Sequence, residues 1–119
     1  MSLKINIRET PEATILDLSG RLTLGEALGD FRDSIREALA GDRKNILLNL
    51  SEVSYIDSSG LGQLIGSYAT VTDRGGQLKL YNLQKKVTDL LQITKLLTIF
   101  ETFDSESKAL ASFAKTQKA

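Results

Sequence analysis

Hydrophobic spacing changes period several times along the chain. Leu3, Ile5 and Ile7 alternate with Lys4, Asn6 and Arg8, the period-2 pattern of a half-buried strand. Thr10-Pro11-Glu12 interrupts as a turn. Residues 13–19 resume with Ile15, Leu16 and Leu18 until Gly20 ends the run, so the two segments read as an antiparallel hairpin. From Glu26 the period lengthens: Leu28, Phe31, Ile35, Ala38 and Leu39 share one helical face, with Gly41 as a stop. Residues 45–50 are short, apolar and unpunctuated, as a strand buried on both faces is. Leu61, Leu64, Ile65 and Tyr68 form a second helical stripe that ends near Gly75-Gly76. Residues 77–81 predict a strand, and 85–93 a helix with Val87, Leu90 and Leu91 inward. Residues 98–103 predict a strand of β-branched and aromatic residues. Asp104-Ser105 caps a last helix through Leu110 and Phe113.

The order β-β-α-β-α-β-α-β-α predicts an α/β fold. It is a single domain whose mainly parallel sheet of about five strands begins with an antiparallel hairpin and is covered by about four helices. The domain is expected over residues 1–114, with 115–119 a frayed tail.

The segment Asp57-Ser58-Ser59-Gly60-Leu61-Gly62 falls between a buried strand and a helix, where open α/β sheets gather their sites. Helix capping accounts for one of its polar residues. It does not account for Gly60, Gly62 and Gly66, since interior helical glycine costs up to ~1 kcal/mol against alanine. Ser58, Gly62 and Gly66 lie at i, i+4 and i+8 on one face. That flank is nearly free of side chains, so another surface can approach it closely. Spacing leaves open whether that surface is a partner or a neighbouring helix of the same chain. A phosphate on Ser58 would find free N–H groups and a favourable helix dipole, and it would bring bulk and charge to a flank of Gly and Ser.

Composition narrows the chemistry. The 119 residues suffice for one domain. Lys+Arg and Asp+Glu are 15 each, so there is no basic excess to grip a phosphate backbone, and no nucleic acid is expected as partner. There is no His and no Cys, which removes the Ser-His-Asp triad, thiolate nucleophiles and imidazole or thiolate metal ligands. A carboxylate base or carboxylate metal site stays open, and a chain without cysteine is indifferent to redox compartment. Charges interrupt the apolar positions of residues 1–8, unlike a signal peptide. Apolar runs are a few residues long, against the ~20 that span a bilayer. A cytoplasmic protein without membrane insertion is expected.

Residues 57–62 resemble the signature of the anti-sigma factor antagonist family, whose fold is the STAS domain. The flanks extend the likeness over nearly the whole chain: Gly20-Arg21-Leu22-Thr23, Ile46-Leu47-Leu48-Asn49-Leu50, Gly75-Gly76-Gln77-Leu78, then Thr98-Ile99-Phe100-Glu101-Thr102-Phe103-Asp104-Ser105 with Ala109-Leu110. The resemblance implies partner switching. An unphosphorylated antagonist binds an anti-sigma factor and so frees a sigma factor. The anti-sigma factor is also a serine kinase, which uses its own ATP and Mg²⁺ to phosphorylate the first Ser after the Asp. By position that is Ser58. A separate serine phosphatase reverses the step.

On this reading Ser58 is a substrate residue. The chain holds no cofactor or metal and catalyses nothing. The implied partner surface is Thr23, Asp57, Ser58, Ser59, Gly60, Gly62 and Gly66, and the free domain is expected to be a monomer. Some family members carry an acidic residue where Thr23 stands, so Thr23 and Arg21 alter the charge of a loop that faces the kinase. Lys85-Lys86 reads as a solvated helix face, with a partner-facing role as the alternative. Competing functions are an accessory subunit of a lipid or anion transport system and a scaffold module of a stress-sensing complex. A nucleotide-binding module lacks its G-x-x-x-x-G-K-[ST] loop. Neighbouring genes, a sigma factor with an anti-sigma kinase against transporter components, discriminate the antagonist from the transport accessory.

Overall fold

The computed structural model describes residues 3–116. Leu3–Glu9 (β1) and Thr14–Leu22 (β2) pair antiparallel. Thr10 closes their turn, its Oγ1 accepting from the N–H groups of Glu12 and Ala13 at 3.3 and 3.1 Å. There follow Glu26–Ala38 (α1), Ile46–Ile56 (β3), Ser58–Asp73 (α2), Leu78–Tyr81 (β4) and Lys85–Ile93 (α3). A 3-10 turn at Leu96–Thr98, Glu101–Phe103 (β5) and Glu106–Thr116 (α4) complete the chain. The sheet runs β1-β2-β3-β4-β5 and is parallel from β2 onward.

Each β-α-β step moves one strand in the same direction. Right-handed crossovers therefore bring α1, α2 and α3 to one face. There Leu16, Leu18, Leu48, Leu50 and Leu80 meet Phe31, Ile35, Leu64, Val71, Val87 and Leu91. On the other face Ile15, Leu47 and Tyr81 lie under Ala109 and Phe113 of α4. Ile46, Leu47 and Leu48 are all 0% exposed, as a strand covered on both faces requires. Lys79 is also buried on the α4 face. Its Nζ donates to Ser112 Oγ at 2.9 Å, pairs with Glu101 at 3.3 Å and lies 4.7 Å from the Phe113 ring centre. The α2 C-terminus is a Schellman turn: Gly76 N–H donates to Val71 O and Gly75 N–H to Thr72 O, with Gly75 at φ 81°.

Four elements depart from the sequence reading. β2 does not stop at Gly20 but continues to Leu22, and β3 continues from the expected end at Leu50 to Ile56. The two added lengths pair with each other through two register shifts, each inserting one extra residue in β3. The expected strand over 98–103 is a strand only at its end. Lys95 takes φ 64°, and Leu96 O accepts from the N–H groups of Ile99 and Phe100, so the β-branched residues 98–99 sit in a tight turn. α4 reaches Thr116, two residues into the expected tail; 117–119 lie outside the described residues.

Beside the α4 core the second face is polar, and a side-chain network there joins the start of the helix to the sheet. Arg8 Nε donates to Asp17 Oδ2 at 2.6 Å, and Arg8 Nη2 to Glu106 Oε1 at 2.8 Å. Tyr81 Oη donates to the same Glu106 oxygen at 2.7 Å. The Arg8 hydrogen bonds pull the Asp17 carboxyl down to about 2, against its partial burial, with Asn49 and Asn6 assisting. Glu106 is lowered by Arg8 and by Tyr81. Burial, helped by Glu106, pushes the Tyr81 hydroxyl up to about 12. A carboxyl depressed on folding stabilises the fold above its unfolded pKa, and that contribution is lost as pH falls through the folded one. Stability should therefore drop by about 1 kcal/mol between about pH 5 and about pH 2 through Asp17, a solvent-screened figure. Asp17→Asn should flatten that part of the profile. Urea midpoints at the two pH values check it, and equal slopes for both proteins contradict it.

Candidate functional site

The two inserted residues in β3 carry its end past β4 and deliver Ile56 next to Leu22, where Asp57 begins the turn into α2. Asp57 is extended, with φ −93°, and caps the helix: Oδ1 accepts from the Gly60 N–H at 2.7 Å. Its other oxygen reaches across to the β2–α1 loop and accepts from the Leu24 N–H at 3.0 Å. Its own N–H donates to Leu22 O at 3.3 Å. The N–H donors of Leu24, first, and Gly60 hold the Asp57 carboxyl below the usual carboxylate range. Gly60 lies so close to this loop that a Cβ there would stand 2.2 Å from Leu22 O. The loop is thereby clasped at Leu22 and Leu24, on either side of Thr23, to Asp57, the residue before Ser58.

Ser58 is the first residue of α2 and is exposed; Ser59 is half-buried. The buried side of α2 is Gly60, Leu61, Leu64, Ser67 and Val71. This stripe is rotated from the expected one. Ile65 is 39% exposed, and Tyr68 is half-buried with its ring edge-on to Phe100 at 5.5 Å. On the opposite flank Ser58, Gly62 and Gly66 are exposed in one row. A Cβ on Gly62 or Gly66 would meet nothing within 4 Å. Packing against a neighbouring helix of the same chain is thus overturned for these two glycines, and it is Gly60 that the fold itself requires.

A groove of about 380 Å³ runs from this helix start towards α3, lined by Tyr55, Ile56, Ser58, Leu61, Lys86 and Leu90 among others. The pair Lys85-Lys86 divides here. Lys85 is exposed and bound to Asp89 at 2.9 Å within its own helix, while Lys86 borders the groove. Among the described residues no three acidic side chains converge as a metal site. Sequence reading did not single out Leu24, 74% exposed, whose N–H meets Asp57, or Tyr55, 53% exposed, which shares the groove with Asp57. Leu24 did carry a signal: a large apolar residue between Thr23 and Gly25, outside both the strand and the helix period.

A model of the STAS domain matches residues 4–109, which takes in every element from β1 to the start of α4. The chain belongs to the STAS domain family. Its five-stranded sheet with one antiparallel pair is the STAS arrangement. This STAS domain is 30% identical over 111 residues to the anti-sigma F factor antagonist of Paenibacillus polymyxa, covering 92% of the chain and 94% of the relative. It is 36% identical over 112 residues to the anti-sigma-B factor antagonist of Listeria monocytogenes, covering 91% and 93%. Among solved structures it is similar in fold to the Bacillus cell fate determinant SpoIIAA in its phosphorylated form. There the TM-score is 0.70 and identity 23%, over 92% of this chain and 98% of the other. No helix among the described residues is long and apolar enough to cross a membrane.

Proposed function

We propose that this STAS domain is an anti-sigma factor antagonist switched by phosphorylation of Ser58. Unphosphorylated, it binds an anti-sigma factor through the open flank of α2 and the clasped β2–α1 loop, and a sigma factor is freed. The observation that carries the reading is the exposed row Ser58, Gly62 and Gly66, where no other part of the chain packs against the two glycines and an outside surface can approach the backbone closely. The anti-sigma factor antagonists among its relatives give that surface its class of partner. SpoIIAA, known in a phosphorylated form, gives the switch its precedent.

In the off step the bound anti-sigma factor acts as kinase and supplies ATP and Mg²⁺. Ser58 Oγ takes the γ-phosphoryl group, ADP leaves, and the hydroxyl proton is released. A serine phosphatase returns the hydroxyl by hydrolysing the ester to inorganic phosphate. The chain contributes the acceptor and the docking surface, and holds no cofactor.

Calorimetric titration of the anti-sigma factor with wild type and with Ser58→Asp tests the reading. A negative side chain in the flank should weaken binding by about tenfold or more, ~1.4 kcal/mol. Circular dichroism should be unchanged, because the cap is Asp57 and not Ser58. Equal affinities would sink the switch.

A further inference from the structure

Leu24 stands 74% exposed on a loop that is not loose. Its N–H is held by Asp57 Oδ2 at 3.0 Å, and the preceding Leu22 carbonyl accepts from the Asp57 N–H at 3.3 Å. The same carbonyl lies under Gly60, against which no Cβ would fit. A large apolar side chain held in water by a fixed backbone adds no burial to the fold, yet its position is defined to a single hydrogen bond from the residue before Ser58. Tyr55, 53% exposed, is a second apolar projection near the end of β3, where that strand pairs with Arg21. Tyr55 lines one groove with the acceptor Ser58, and the half-buried Thr23 precedes Leu24 in the chain.

We propose that Leu24 is an apolar anchor for the kinase that modifies Ser58, and that Asp57 is the positioning residue that holds it in place. The inference rests on the function proposed above. Any enzyme that reaches Ser58 Oγ covers the surface around it, and Leu24 is the largest apolar projection of the adjoining loop. Arg21 and Glu26 on either side are free to make polar contacts, but at Leu24 itself the complementary feature on the anti-sigma kinase is an apolar pocket. Anchors of this kind bind best when their backbone is already ordered, since no loop entropy is then lost on docking. Asp57 supplies that order from a distance through one carboxylate oxygen, while the other caps α2.

Asp57→Asn separates the two duties. Asparagine keeps an oxygen for the Gly60 N–H and is as good an N-cap, but its NH₂ group cannot accept from Leu24. In the isolated domain, amide exchange followed by NMR should speed up by about tenfold or more at Leu24 and stay unchanged at Gly60. Unchanged exchange at Leu24 overturns the positioning role. In steady-state phosphorylation by the anti-sigma kinase with Mg-ATP, Leu24→Ala should raise KM by about tenfold with kcat within about twofold. Asp57→Asn should raise KM in the same sense, and the double variant should be no worse than Leu24→Ala alone. An unaltered KM for Leu24→Ala overturns the anchor. If wild type is not phosphorylated at all, the reading of Ser58 fails and the anchor with it, while the exchange experiment still decides the role of Asp57.

Discussion

Gly60→Ala is expected to lower stability by about 3 kcal/mol, a fall in Tm of roughly 10 °C, while Gly62→Ala two residues on raises it by up to ~1 kcal/mol. Both changes add one methyl group to the same helix. At Gly60 the methyl would stand 2.2 Å from Leu22 O and 2.9 Å from Ile56 Cγ2. The first of these is backbone in β2 and cannot turn aside, so α2 must lift off the strand end. That movement also pulls on Asp57, whose N–H uses the same Leu22 carbonyl. At Gly62 the methyl enters open space. Only the conformational entropy of the unfolded chain and helix propensity remain, and both favour alanine. Thermal unfolding by circular dichroism checks the opposite signs. Gly62→Leu carries the functional half of the contrast: binding of the anti-sigma factor should fall with Tm preserved. A large loss of Tm there would return the flank to internal packing.

The glycines also indicate where sequence reading worked and where it ended. Spacing correctly put Ser58, Gly62 and Gly66 on one face, because helical geometry depends only on position along the chain. It could not separate Gly60 from Gly62. That difference is made by a carbonyl in β2, 38 residues earlier in the chain. The alternation of strands and helices was legible for the same local reason, and the three apolar residues 46–48 announced a strand buried on two sides. The continuation of β3 to Ile56 was not legible. Past Leu50 the buried residues are Val53 and Ile56, three apart, because two bulges break the period of 2 on which strand reading depends. The same bulges aim Asp57 at the β2–α1 loop, so the irregularity that hid the strand is what builds the site. The strand expected over 98–103 failed for another reason. Its β-branched residues suit a strand, but Phe100 is drawn into the core against Tyr68, and the backbone before it tightens to reach there.

Ser58→Ala should abolish phosphorylation by the anti-sigma kinase, and Ser59→Ala should leave it intact. The two hydroxyls are one residue apart, but a helix turns about 100° per residue. Ser58 is exposed and borders the groove, whereas Ser59 is half-buried. Neither substitution removes the cap, which belongs to Asp57, so both proteins should fold with near-native Tm. Mass spectrometry of the phosphopeptide decides between the residues, and phosphate on Ser59 would overturn the assignment. Ser58→Ala should also keep its affinity for the anti-sigma factor in the presence of ATP, when wild type loses it.

The physical reason lies in where the new charge can go. The helix N-terminus is a natural seat for a phosphate, but here the Asp57 carboxylate already takes the N–H groups of Gly60 and Leu24 and draws on that of Ser59. A phosphate on Ser58 therefore competes with the Asp57 carboxylate for the helix end. Ser58 is exposed beside that carboxylate, so the phosphate adds charge on the flank and moves the net charge of the chain from 0 to about −2. A partner that had met glycine and serine must then desolvate a dianion or leave.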